Sequence, residues 1–386
     1  MAPIPIPQSW TWDTIVERIE ERIDLETTCR ADGAIRRTRA IKTAAQLLRL
    51  ILGHVLSSLS FRGTATWAEA GGHAALSDVA LLKRMRRCGP WLSHLVSTLA
   101  VLDRPEASGE AGRRIVAVDG TMICPPGDKK NYRIPHTVYD ITAQCFIGTE
   151  LTDRHTAEHL DACGVSAGEI RLADRVYGRW RDLRAVVAAS ADYVVRLSTN
   201  ALALRTLEGE TFDRGALCER AVAEGMLDET IMIHDAASGE RMRARVVVLA
   251  LPPEQAEAAR RLARKKARKW GHTASRKMLA TAGCVMLITS LPREAWAGSR
   301  ILELYRRRWQ VELVFKRLKS LIGLEELRVH DNELVRVWIH AVLLVALLID
   351  AERPSLTREG PDSPPSANRA EDTSPSGDSS RCPALA

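Results

Sequence analysis

The stretch RIVAVDGTMI, residues 114–123, decides the fold. Ile115, Val116, Ala117 and Val118 run without a polar break into Asp119 and Gly120. A short apolar, β-branched run closed by a turn former reads as a strand buried on both faces. Outward from it, HTVYDI (136–141) and QCFIGTEL (144–151) read as two further strands of a meander. Residues 157–168 read as a short helix. EIRLADRVYG (169–178) then gives a strand that ends in Asp174 and Gly178, residues 179–190 a helix, and ADYVVRLST (191–199) another strand. The order βββαβαβ is that of an α/β, ribonuclease-H-like domain whose last helix is still owed.

That helix does not come next. Residues 200–282 intervene and read as a β-rich insertion within one domain. They hold ETIMIHDAASGERMRARVVVLAL (229–251), a hairpin around Ser238-Gly239, and a strongly basic helix from Pro252 to Trp270. GCVMLITSL (283–291) returns as a strand, and ILELYRRRWQVELVFKRLKSL (301–321) follows as one long helix.

Residues 1–110 read as an all-helical N-terminal domain that binds DNA. Its expected helices are Thr14–Ile23, Ile41–Leu59, Thr66–Ala70 and Ser77–Arg87, with Ser77 as an N-cap and Gly89-Pro90 as a stop. The helix after Ser77 carries Lys83, Arg84, Arg86 and Arg87, which permits a helix-turn-helix reading, although a plain structural helix pair has the same pattern. The catalytic domain is expected over 111–350. Val337–Ile349 is too short an apolar run to span a bilayer and reads as a buried helix. From Pro354 the chain turns to Pro, Ser and charged residues, so 351–386 reads as a disordered tail.

The 386 residues carry a net charge of +7, unevenly spread. Between Glu254 and Arg328 stand 18 Lys and Arg against 7 Asp and Glu, which leaves the rest of the chain slightly acidic. Such a concentration points to a polyanion, most simply nucleic acid, and nothing in the sequence anchors it to a membrane. The 8 cysteines include no C-x-x-C pair, as expected of reduced thiols in a cytoplasmic protein. The N-terminus lacks the pattern of a secretory signal.

Three carboxylates carry the chemistry. Asp119 and Asp174 each follow an apolar strand, where a charge is costly unless paired or bound to metal. A strand-end turn former explains either one alone. On the long helix, Tyr305, Arg308, Glu312 and Lys319 fall within a sector about 60° wide at 100° per residue. Leu304, Val311, Phe315, Leu318 and Ile322 cluster about 90° away by the same count. Glu312 and Lys316 also make an ordinary i,i+4 surface pair. Asp119, Asp174 and Glu312 together could hold two Mg²⁺ ions about 4 Å apart, an arrangement suited to in-line phosphoryl displacement. Mn²⁺ would serve in their place. Arg264, Lys265 and Lys266 of the basic helix are candidate phosphate contacts beside a solvated-face reading. His155 and His159 are four apart but lack a metalloprotease register, and no phosphate-binding loop is present.

At these residues the chain resembles the prokaryotic DDE transposases, in the branch named after insertion sequence four. VAVDGT, LADRVYG and YRRRWQVELVFKRLK carry the likeness, the last matching a Y-x2-R-x3-E-x6-K signature at Tyr305, Arg308, Glu312 and Lys319. DVALLKRMRRCGPWL (78–92) is similar to a stretch that precedes the family's catalytic domain. The resemblance implies that Asp119, Asp174 and Glu312 are metal ligands, and that Tyr305, Arg308 and Lys319 hold phosphates of a transposon end. It also implies double-stranded DNA partners (terminal inverted repeats and target) and a homodimer on two DNA ends. A tryptophan before Glu312 would stack on a displaced base, with Trp270 and Trp296 the nearest candidates. The alternatives are a shortened, inactive end-binding protein, because little sequence follows the signature, and a ribonuclease-H-like nuclease.

Overall fold

A computed structural model of the chain describes residues 11–57, 59–102, 112–120, 123, 133–143, 145–153, 156, 158–197, 202–310, 312, 329 and 331–351. The tail beyond 351 and the side chains of Lys316 and Lys319 lie outside these residues.

Six helices open the chain: α1 (Trp12–Glu20), α2 (Leu25–Ala31), α3 (Ala44–Leu56), α4 (Phe61–Ala70), α5 (Asp78–Met85) and α6 (Gly89–Leu102). Their starts are written locally. Thr43 accepts from the Gln46 amide at 3.2 Å while the Gln46 side chain accepts from the Thr43 amide at 3.4 Å, a reciprocal cap for α3. Ser77 caps α5 through the Ala80 amide at 3.2 Å. Gly89-Pro90, expected as a stop, opens α6, where proline's missing N–H costs nothing in the first turn.

Among the described residues the sheet has nine strands in the order β3-β2-β1-β4-β5-β9-β8-β7-β6. β1 (Ile115–Gly120) pairs antiparallel with β2 (Arg133–Asp140), which pairs antiparallel with β3 (Cys145–Asp153). On its other side β1 runs parallel to β4 (Ile170–Ala173), and β4 parallel to β5 (Asp192–Arg196). Between β4 and β5 lies α7 (Trp180–Ala188). Next come β6 (Ala203–Arg205), α8 (Arg214–Glu224), β7 (Met226–His234), β8 (Arg241–Ala250), α9 (Pro253–Lys269), α10 (Arg276–Ala282) and β9 (Cys284–Thr289). β9 joins β5 to β8, so the strands of the intervening stretch extend the same sheet. The β7–β8 turn matches its sequence signal: Asp235 accepts from the Ser238 amide at 2.9 Å, and Gly239 has φ +72.

Alternation along the strands divides the core in two. Ile115, Ala117, Ile170, Leu172 and Leu287 face a cluster that also holds Leu48, Trp91 and Leu95 of the N-terminal helices, Ile301 and Leu304 of α11 (Gly298–Arg306), and Leu344 of α12 (Asn332–Ala351). Val116, Val118, Val195, Val246 and Val248 face the other way, against Leu183 and Val186 of α7 and Leu217 and Ala221 of α8. The first cluster is therefore shared by the N-terminal helices, one face of the sheet and the last helix. At 20 residues α12 exceeds the run expected from sequence and is long and apolar enough to cross a membrane, yet its apolar side chains are buried against α6 and α3.

Two expected elements differ. The described residues between 158 and 168 form turns rather than a helix. Cys163 (φ 57) and Gly164 (φ 75) adopt left-handed backbone that helices exclude. The single long helix from 301 is interrupted. α11 ends at Arg306, residues 307 and 308 form a turn, and helical backbone resumes at Trp309. The Arg307, Arg308 and Gln310 amides bond to carbonyls three residues back, the tighter pitch that closes a helix end.

Candidate active site

β1 and β4 set the first two carboxylates side by side. Their parallel register places Ile115 opposite Ile170 and Ala117 opposite Leu172. The paired register ends there: β1 runs on to Asp119 and Gly120, and Asp174 directly follows β4, so both aspartates stand at the same end of these two neighbouring strands. By the same alternation both side chains project to the face shared with α11.

α11 supplies the other half. It packs into that face through Ile301 and Leu304, and the turn after it delivers Arg308 toward the strand ends. Arg308 Nη1 lies 4.0 Å from Asp119 Oδ2, and its Nη2 donates to Glu312 Oε1. The guanidinium also stands over the Tyr305 ring, 5.6 Å from the centroid. Thus Tyr305 and Glu312 meet at the Arg308 guanidinium, which also reaches toward Asp119, although the helix is interrupted between them. The Tyr305 hydroxyl and Arg308 Nε are buried with no hydrogen-bond partner among the described residues. Asp174 keeps a loose solvated pairing, 4.0 Å from Arg175 Nε.

The electrostatics follow from burial. Desolvation pushes the Asp119 carboxyl up to about 7, with Arg308 opposing and Glu312 and Glu158 adding. Burial works against the Arg308 charge, but Tyr305, Glu312 and Asp119 outweigh it and hold the guanidinium above its ordinary value. Burial likewise raises the Tyr305 phenol. Carboxylate oxygens suit a hard divalent cation, and a buried acid held above its normal range is a charge such an ion would neutralise. The donor chemistry fits, although among the described residues no three Asp, Glu, His or Cys side chains already stand close enough to grip an ion.

The remaining candidates separate. In α9, Arg264 is tied to Glu257 at 2.9 Å, while Lys265 and Lys266 are exposed. Trp296 is 2% exposed beneath the Arg300 guanidinium, which excludes it from stacking on a base, whereas Trp270 is 52% exposed. Trp309, beside Arg308, is 58% exposed and escaped the sequence reading because it looked like part of the helix. His159 is consumed by Asp161 at 2.9 Å and Glu150 at 3.4 Å, and His155 lies outside the described residues. Glu158, half-buried and with a charge that helps raise the Asp119 carboxyl, was also missed, because it sits in a polar stretch with no strand-end signal.

A family model described as "Transposase DDE domain" matches residues 110–348, from just before β1 to nearly the end of α12. The chain belongs to the DDE transposase family. This transposase is 39% identical over 345 residues to InsL of insertion sequence element IS186A from Escherichia coli K12, covering 88% of this chain and 93% of that protein. It is 38% identical over 346 residues to the transposase for insertion sequence element IS421 of Escherichia coli, with the same coverages. It is 25% identical over 194 residues to the transposase for IS231F of Bacillus thuringiensis subsp. israelensis, covering 47% and 41%. The alignments to the first two thus run nearly the whole length of those relatives. A DDE transposase is an enzyme that cuts DNA and transfers the cut strand.

Proposed function

We propose that this transposase acts at the terminal inverted repeats of its own insertion sequence, in the insertion-sequence-four branch, with Asp119, Asp174 and Glu312 as its metal-binding carboxylates. The observation that supports this reading is the parallel register of β1 and β4, which end in Asp119 and just before Asp174, with Arg308 spanning Asp119 and Glu312. The strand order β3-β2-β1-β4-β5 and the arrival of Glu312 after all of them support a ribonuclease-H-like core. In this reading residues 111–350 are the catalytic unit with an insertion over 200–282, and residues 1–110 grip DNA.

Two Mg²⁺ ions, or Mn²⁺ in their place, would supply Lewis-acid activation of the attacking oxygen and stabilise the leaving one. The chain does the rest. Arg308, already charged and poised beside the carboxylates, swings its fork from Glu312 onto a phosphate of the DNA end. Tyr305 offers its hydroxyl to the same backbone, and Lys316 and Lys319 lie further along the signature. Lys265 and Lys266 follow the duplex, and exposed Trp270 can stack on an unpaired base. Two copies pair on two ends in the cytoplasm, at the nucleoid.

The test is a nicking assay on duplexes bearing the element's terminal repeats, with Mg²⁺. Glu312→Gln should cut at least about 100-fold more slowly while binding the same DNA. Undiminished cleavage by that variant sinks the assignment.

A further inference from the structure

Among the described residues the sheet ends at β3, whose strand neighbour is β2. A cavity of about 480 Å³ lies against β3 and is lined by all five residues 147–151. Side chains alternate faces along a strand, so a cavity that touches five residues in a row runs along the strand's edge rather than over one face. Among the described residues, 147–151 make no backbone hydrogen bond outside the β2–β3 ladder. The stretch contains no proline or lysine, the residues that commonly keep such an edge from pairing. Its one charged side chain, Glu150, is turned to His159 at 3.4 Å.

Two walls stand beside this edge. On the face of Gly148 and Glu150 lies the loop before β4: a Cβ added to Gly148 would meet Cys163 Sγ at 3.1 Å, and the Cys163 amide donates to Glu150 Oε2 at 3.4 Å. On the other face α6 and α12 pack against β3, and Leu151 joins their core. From this second wall Ser93 and Ser97, one turn apart on α6, and Arg336 and His340, one turn apart on α12, line the cavity. The Arg336 side chain is exposed, and neither it nor the two serine hydroxyls has a partner among the described residues. His340 is 6% exposed, and its Nδ1 donates to the Arg336 carbonyl at 2.8 Å, which leaves Nε2 as an acceptor.

We propose that this slot binds an extended, acidic peptide segment of a partner protein, which adds to the sheet as a further strand along β3 and places a carboxylate on Arg336. Five residues span about 17 Å at about 3.4 Å per residue, so a short segment completes the ladder. The peptide backbone pairs with the open edge of β3, while its alternate side chains point to the two walls. On the helix wall the unpaired guanidinium selects the carboxylate, and the two serines with His340 Nε2 favour small polar side chains around it. On the loop wall Glu150 repels a second acid, which fixes which way the strand faces. The slot lies two strands away from the one that bears Asp119, so this inference is independent of how the carboxylates there bind metal.

Hydrogen exchange of the full chain, read by mass spectrometry over β3, tests it. The probes are synthetic seven-residue peptides that alternate valine and threonine and carry one aspartate at each position in turn. At least one should slow exchange in β3. That peptide should bind at least about 10-fold more weakly when its aspartate is replaced by asparagine or lysine, when its alternate amides are N-methylated, or when the chain carries Arg336→Ala. Ser97→Trp, at an exposed position of the helix wall, should fill the slot and abolish binding. If no aspartate-bearing peptide slows β3, or if Arg336→Ala and Ser97→Trp bind like the unaltered chain, the proposal is overturned. Should either variant melt early, the asparagine and N-methylated peptides decide on the unaltered chain, and undiminished binding of both overturns it. Slow β3 exchange without peptide assigns the slot to the chain itself, or to a second copy if it appears only at high protein concentration. Slowing by duplex DNA alone assigns it to nucleic acid. Each of these outcomes removes the partner peptide.

Discussion

Asp119 shows how one buried side chain ties folding to pH. Its carboxyl is raised to about 7 by burial, against an ordinary value near 3.8. A group whose pKa is higher in the folded chain favours folding below its unfolded pKa, and that contribution is lost as pH rises through the folded value. The metal-free chain should therefore lose stability between about pH 4 and 7, by up to about 1.4 kcal/mol per pH unit from this residue. Asp119→Asn should flatten that slope and melt later at pH 8, as melting curves across pH will record. A cation on the carboxylates should flatten it too, because the charged form is then favoured. Asp119 and Asp174 were legible in the sequence because a charge at the end of a buried strand breaks a hydrophobic run. Glu158 was not, because its loop is held by Arg171 donating to the Leu160, Ala162 and Gly164 carbonyls, and no local pattern records a long-range bond.

At the scale of elements, α9 tests whether a basic helix is a solvated face or a DNA-binding one. Lys265 and Lys266 are exposed and carry no ion pair among the described residues, whereas Arg264 leans on Glu257. Each phosphate that a side chain ceases to neutralise lowers the slope of log affinity against log salt by about 0.9. Lys265→Ala with Lys266→Ala should lower it by about 2, and Arg264→Ala by less, in binding isotherms taken across salt concentrations. A slope unchanged in the double variant assigns α9 to solvent. Element reading succeeded where local chemistry decides: the Ser77 cap, the Asp235–Gly239 turn and the alternating β7–β8 pair. It failed at 307–308, where three arginines in a row give no breaker. The interruption there leaves Leu304 in the core and Arg308 within 4.0 Å of Asp119.

For the whole molecule, the decisive feature is the core that the N-terminal helices share with the sheet and α12. A boundary near residue 110 is visible in the sequence as a change from helical to strand patterning, but not in the packing. Leu48, Trp91, Leu95, Ile115, Ala117 and Leu344 belong to one cluster. A fragment beginning at residue 111 would bare that side of the sheet and of α12. It should be insoluble or molten by circular dichroism and hydrogen exchange, while the full chain folds cooperatively. An independently folded, soluble fragment would show that the helices are an appendage.

The same packing limits how such a chain can vary over generations. Splicing the first hundred residues of one relative onto the rest of another would bring together two halves of a core never selected to interlock. New end preferences are better reached by gradual change on outer faces than by exchange of a whole N-terminal block. The solvent-facing turn between β7 and β8 obeys no such constraint. It is the place where foreign sequence could lodge without disturbing either face of the sheet.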